Sequence, residues 1–232
     1  MPFFFDVKYL LFVMLPGMLI SGAASLLVRA AFSRYSKVAC SSGMTGAQAA
    51  ARLLSNAGIY DVQVVRAHGY LSDHYNPQSK QLALSDGVYD SHSLAAVGIA
   101  CHEAGHAIQD ATDYGPLGLR SALVPAAGIG SNIGYVVMAA GLFIHPLVVG
   151  IGVVIFGGVL LFQLVTLPVE FDATARAKKL VVESGIIRED ERYGVDRVLN
   201  AAALTYVAAV ITSLLTILYY LMRSGLLGGR DD

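Results

Sequence analysis

Asp, Glu, Lys and Arg are missing from residues 9–28, 121–169 and 198–222. The first stretch, 20 residues between Lys8 and Arg29, reaches about 30 Å as a helix, the thickness of a hydrocarbon core. It is long for the apolar part of a signal peptide, and no small-residue cleavage site precedes Arg29, so it reads as a retained span with a kink at Pro16-Gly17. The second stretch holds 49 residues, too many for one span and enough for two helices and a tight turn. His145-Pro146 lies near its middle. Proline cannot continue a preceding helix, which predicts spans over 123–144 and 147–167. The third stretch, 25 residues, makes a fourth span.

The polar segments carry shorter patterns. Residues 45–57 read as a helix capped by Thr45 and ended by Gly58. Residues 61–67, with Val62, Val64 and Val65, read as a strand, and 71–84 as two extended pieces around an Asn76-Pro77 turn. Residues 91–110 read as a helix with Asp90 or Ser91 as cap; its apolar half, 94–101, has only 8 residues, which suits a helix buried in a small domain. The expected fold class is mainly α, a four-transmembrane-helix membrane protein. Its parts are 1–31 (N-terminal segment and first span), 32–120 (polar segment), 121–168 (a hairpin of two spans), 169–197 (polar helix) and 198–232 (fourth span and tail).

Composition supports the membrane. The chain is 55% hydrophobic and 14% charged, against about 25% charged in a soluble domain. A net charge of −1 without a Lys/Arg run speaks against nucleic acid as a partner. Thirteen of the 16 Lys and Arg fall in 29–120 and 169–197, so the positive-inside rule places both polar segments in the cytoplasm of a bacterial-type plasma membrane. Glycines at 128, 130 and 134 and at 150, 152, 157 and 158 permit close helix packing, within the chain, in a homo-oligomer or with a membrane-protein partner.

The chemistry is concentrated in His102-Glu103-Ala104-Gly105-His106, an H-E-x-x-H pattern. Residues four apart share one helical face, so both imidazoles reach one ion. Zinc accepts neutral imidazole nitrogen and keeps an open position for water, from which Glu103 can take a proton. A third ligand is needed. Asp110 lies about 12 Å beyond His102 along the helix axis, His92, ten residues upstream on the same helix, is also too far, and His145 falls on the other side of the membrane. The third-histidine pattern of another zinc-protease class is absent, with Gln109 and Thr112 in its places. His68, His74 and Glu170 remain, and Glu170 is favoured, because a carboxylate at the end of a span is costly unless paired or coordinating. Cys101 reads as a core residue.

Three segments, Ser72-Asp73-His74-Tyr75-Asn76-Pro77, His102 to Gln109 and Pro168-Val169-Glu170-Phe171-Asp172-Ala173, resemble the YugP-like family of neutral zinc metallopeptidases over nearly the whole chain. More distantly, the chain is similar to the HtpX-type membrane zinc proteases. The resemblance implies a zincin-like α+β metallopeptidase domain in the cytoplasm, with one zinc per chain held by His102, His106 and Glu170, and Glu103 as base. It also implies that the strand from 71 to 75 aligns an extended protein or peptide substrate, with His74 or Tyr75 near the oxyanion. The rival for that segment is an ordinary exposed hairpin. HtpX-type proteins carry an Asp four residues after the ligand Glu; Thr174 stands there, so the supporting set would be Asp172, Thr174 and Arg176. The expected function is a membrane-embedded zinc endopeptidase acting on membrane-proximal or unfolded segments, in contact with membrane lipid. A non-catalytic membrane adaptor is the alternative. A site inside a span is disfavoured by Asp110 and Asp113, and a transporter by the charge-free spans.

Overall fold

The structure, a computed structural model, describes residues 6–69 and 72–228. In chain order these form α1 (Val7–Tyr9), a π turn (Leu10–Met14) and α2 (Leu15–Tyr35), followed by α3 (Gly46–Asn56). Three strands follow, β1 (Gln63–Ala67), β2 (His74–Asn76) and β3 (Gln81–Ser85), then α4 (Asp86–Tyr89) and α5 (Leu94–Ala111). The rest is helical: α6 (Gly115–Ile129), a second π turn (Gly130–Gly134), α7 (Tyr135–Ile144), α8 (Pro146–Glu183), a 3-10 turn (Glu189–Glu191) and α9 (Arg192–Arg223). Four helical runs, Val7–Tyr35, Gly115–Ile144, Pro146–Glu183 and Glu189–Arg223, are long and apolar enough to cross a membrane.

The chain divides into two units. The first takes residues up to 24 together with 119–167 and those from 205 onward. As the sequence predicts, the turn between its central spans falls at His145, whose backbone is extended, and Pro146 opens α8. The His145 Nδ1 accepts the Leu147 N–H at 3.2 Å, satisfying one of the donors left over at the helix start. Glycines bring the backbones of these helices together. A Cβ at Gly134 would stand 2.7 Å from the Phe156 nitrogen, and one at Gly141 only 2.5 Å from that of Val149. This seam is how spans without a hydrophobic driving force between them associate by van der Waals contact.

The second unit takes residues 25–118 and 168–204. Thr45 caps α3 in a reciprocal pair with Gln48, at 3.1 and 2.9 Å. Beyond the C-cap, Gly58 holds φ +73°, as the sequence predicts for a helix stop. The sheet order is β1-β3-β2, with β1 parallel and β2 antiparallel to β3. The Asn76 Oδ1 accepts the Gln78 and Ser79 N–H groups and so makes the turn between β2 and β3. Asp73 pins the other end by accepting from the Ser85 N–H at 2.8 Å. Leu71, the first residue of the predicted substrate strand, lies outside the described residues.

Two boundaries differ from the sequence reading. The α5 cap is Ser93, which accepts the Ala96 N–H at 3.2 Å, rather than Asp90 or Ser91. Asp90 is paired with Arg66 at 2.6 Å, and the Ser91 hydroxyl donates to Ser93. β1 begins at Gln63 rather than Asp61, where its register with Gln81 begins. The core surrounds α5, with Leu53 of α3, Leu82 and Leu84 of β3, and Val181, Val195 and Leu199 of the later helices packed together with Val97, Ala100, Cys101 and Ala104.

Candidate metal centre

α5 is capped, alanine-rich and buried along most of its length, which makes it a rigid carrier for side chains on one face. His102 and His106 lie one turn apart on it. Opposite runs the part of α8 that carries Glu170. The two helices approach closely because residue 105 is glycine, since a Cβ there would stand 2.8 Å from the Ala173 carbonyl oxygen. Across this contact the Glu170 Oε2 lies 3.2 Å from the His102 Nε2 and 3.6 Å from the His106 Nε2. The three ligand atoms all fall within 4.8 Å of one another. Among the described residues His68 and His74 do not join this group. His68 is exposed, and the His74 Nδ1 is 2.8 Å from the Ser72 carbonyl.

Glu170 is only 2% exposed. Burial works against its ionised form, but the hydrogen bonds from His102 and His106 outweigh burial and hold the carboxyl well below the usual carboxylate range. For His106 burial likewise disfavours charge, while the Glu170 hydrogen bond and the Glu103 charge raise its affinity for a proton above the ordinary imidazole value. A tetrahedral zinc with ligands at about 2.0–2.2 Å sets them roughly 3.3–3.6 Å apart. The two carboxylate–imidazole distances, 3.2 and 3.6 Å, match that spacing.

The far sides of both imidazoles are also held. The buried Gln109 amide donates from Nε2 to the Val169 carbonyl and to Asp172 Oδ2, each at 2.8 Å. Both partners are acceptors, so the amide nitrogen must face them and Oε1 must face His106, whose Nδ1 is 3.0 Å away. Nδ1 is then a protonated nitrogen, and Nε2 is the atom that would offer its lone pair to a bound ion. The Thr174 hydroxyl stands 3.3 Å from the His102 Nδ1. Arg176 donates from Nε to Asp172 Oδ2 at 2.6 Å and lies 5.7 Å from the Tyr114 ring centre. Sequence reasoning assigned Gln109 no role. The available signal was a polar residue three positions after His106, on the same helical face.

Glu103 is buried beside these groups. Tyr75 of β2 donates its hydroxyl proton to Asp110 Oδ2 at 2.6 Å, and Lys80 meets the same oxygen at 2.6 Å. Burial and the Asp110 bond push the Tyr75 phenol above its ordinary range.

Over residues 10–225 the chain matches the family described as "Putative neutral zinc metallopeptidase". The "Putative membrane protease YugP" of Bacillus subtilis (strain 168) is 42% identical over 223 residues, covering 96% of this chain and 98% of that protein. No solved structure matches. The family takes its name from zinc, the ion that the spacing of His102, His106 and Glu170 accommodates. On a match of this extent, the chain belongs to the neutral zinc metallopeptidase family, which implies zinc as its cofactor.

Proposed function

We propose that the protein is a zinc endopeptidase that cuts membrane-proximal or unfolded protein segments in the cytoplasm, with a zincin-like site drawn from residues 32–120 and 169–197. One observation carries this reading: a carboxylate 2% exposed meets two imidazole nitrogens of an H-E-x-x-H helix at 3.2 and 3.6 Å. His102, His106 and Glu170 would hold the zinc, which when bound lowers the pKa of a water and polarises a peptide carbonyl. Glu103, adjacent to His102, takes the proton of that water and delivers it to the leaving amine. Gln109 and Thr174 orient the two imidazoles, and Asp172 with Arg176 braces Gln109. β2 is bonded to β3 along one edge. Its other edge can align an extended substrate by main-chain pairing, beside His74 and Tyr75. The cytoplasmic assignment rests on the concentration of Lys and Arg in the two polar segments.

The test uses the full chain in detergent with an unfolded casein substrate. Glu103→Gln should keep its zinc and lose about 10²–10⁴-fold in turnover, whereas Glu170→Ala should lose zinc. Wild-type protein that is loaded with zinc yet no faster than Glu103→Gln would replace the enzyme with a membrane adaptor.

A further inference from the structure

A second concave site lies in the same unit, away from the metal centre. It is a cavity of about 230 Å³ between the end of α2 and the start of α9. Leu27, Ala30 and Arg34 line it from α2, and Arg197, Ala201 and Leu204 from α9. Each set follows helical spacing, so each is one face of its helix. The two faces share an order. Arg34 and Arg197 lie outside the charge-free stretches 9–28 and 198–222, while Leu27 and Leu204 lie inside them. Each arginine is seven residues from its leucine, about 10.5 Å along the axis.

The cavity is thus cationic where the helices leave the apolar layer and apolar where they enter it. Neither guanidinium has a carboxylate within ion-pair reach among the described residues. Arg34 instead lies 5.6 Å from the ring centre of Tyr35. Asn200, also on the wall, has its carbonyl oxygen occupied by the Lys178 ammonium at 2.5 Å, which leaves its amide hydrogens as donors. Tyr35 is fixed by close packing, since a Cβ at Gly194 would meet its ring at 2.9 Å. The site offers two forked donors, one amide and an apolar end, and it carries no negative group on its lining.

We infer that this cavity binds an anionic phospholipid, with the phosphodiester between Arg34 and Arg197 and an acyl chain along Leu27 and Leu204. Guanidinium groups suit a phosphate because their paired N–H groups match two oxygens at once. A basic pocket between spans at the membrane boundary is where a phospholipid headgroup resides. A soluble anion would make no use of the leucines.

The experiment is native mass spectrometry of the full chain released from neutral detergent, titrated with phosphatidylglycerol or phosphatidylcholine. Wild type should retain one phosphatidylglycerol with about tenfold or greater preference over phosphatidylcholine, and Arg34→Gln/Arg197→Gln should lose it. Ala30→Phe, an exposed position that fills the cavity and leaves both charges, should lose it as well. Arg29→Gln/Lys37→Gln removes two boundary cations outside the cavity and should retain it. Preference that survives in Arg34→Gln/Arg197→Gln or Ala30→Phe overturns the proposal. So does an equal fall in Arg29→Gln/Lys37→Gln, which would mean a general surface-charge effect. Inorganic phosphate displacing the lipid at equal concentration would show an anion site with no lipid specificity, and also refutes it.

Discussion

Gln109→Met tests the link between the two site helices and the state of His106. Methionine has nearly the same volume, so the core is not opened. The substitution removes the acceptor 3.0 Å from the His106 Nδ1 and the donor to Val169 and Asp172. Gln109 is 0% exposed, so water does not replace these bonds. Removing a partner that orients a metal-bound imidazole costs about 10–100-fold in metal affinity, or roughly 1.4–2.7 kcal/mol. A buried group left without its hydrogen bond gives a similar figure, about 1–3 kcal/mol. Zinc bound only by the folded state stabilises it in proportion to the logarithm of its concentration over Kd, so the zinc-induced rise in stability should shrink by the same 1.4–2.7 kcal/mol at fixed zinc. Competition with a fluorescent chelator gives the affinity, and thermal unfolding with and without zinc gives the linkage. A Gln109→Met protein that binds zinc as tightly as wild type would refute the argument that this amide sets the tautomer.

Thr174→Val should cost less, several-fold in zinc affinity, because it removes one 3.3 Å contact to the His102 Nδ1; Thr174→Ser should restore it, and equal affinities across the three proteins would deny the contact a role. Gly105→Ala puts a methyl 2.8 Å from the Ala173 oxygen, so it should lower stability by about 1–3 kcal/mol and weaken zinc binding, read by thermal unfolding and metal content. Glu191 ties Ser41 and Arg188 together, accepting the Ser41 N–H at 2.8 Å, its hydroxyl at 2.6 Å and the Arg188 N–H at 2.8 Å. Burial raises its carboxyl pKa, but the Ser41 and Arg188 bonds outweigh burial, and the folded-state value falls below the ordinary one. Its contribution is then complete above the unfolded carboxylate pKa and disappears as pH falls through the folded value. The stability gap between wild type and Glu191→Ala should be largest near neutrality and close on acidification; a gap that widens in acid would reverse the sign.

What the sequence discloses follows from the range over which each signal acts. Four spans, the Thr45 cap, the Gly58 stop and the His145 turn depend on residues within one element, and each is found where its local pattern puts it. The histidine pair is equally local. Glu170 is 68 positions from His102, yet a carboxylate at the end of a span announces itself through cost alone, and the structure brings it within 3.2 Å of that imidazole. The role of Gln109 was hidden because its partners, Val169 and Asp172, lie on another helix 60 and 63 residues away. Gly105 reads in sequence as a weak point in a helix, and only the approach of α8 explains it. Ser93 displaces two equally good caps because their side chains are occupied elsewhere, which no local rule reveals.

The glycine seam between the two central spans also bears on how the protein is made. α6 and α7 leave the ribosome before the segment they pack against, and residues 146–167 need roughly one to four seconds more at ordinary synthesis rates. During that interval the backbone around Gly134 and Gly141 lacks the α8 residues, Phe156 and Val149, that it meets in the folded chain. With His145 as the sole residue between α7 and α8, the second half of the hairpin arrives tethered as closely as a chain allows. Its local concentration then exceeds that of any competing helix in the bilayer, and the seam closes on the first partner synthesised after it.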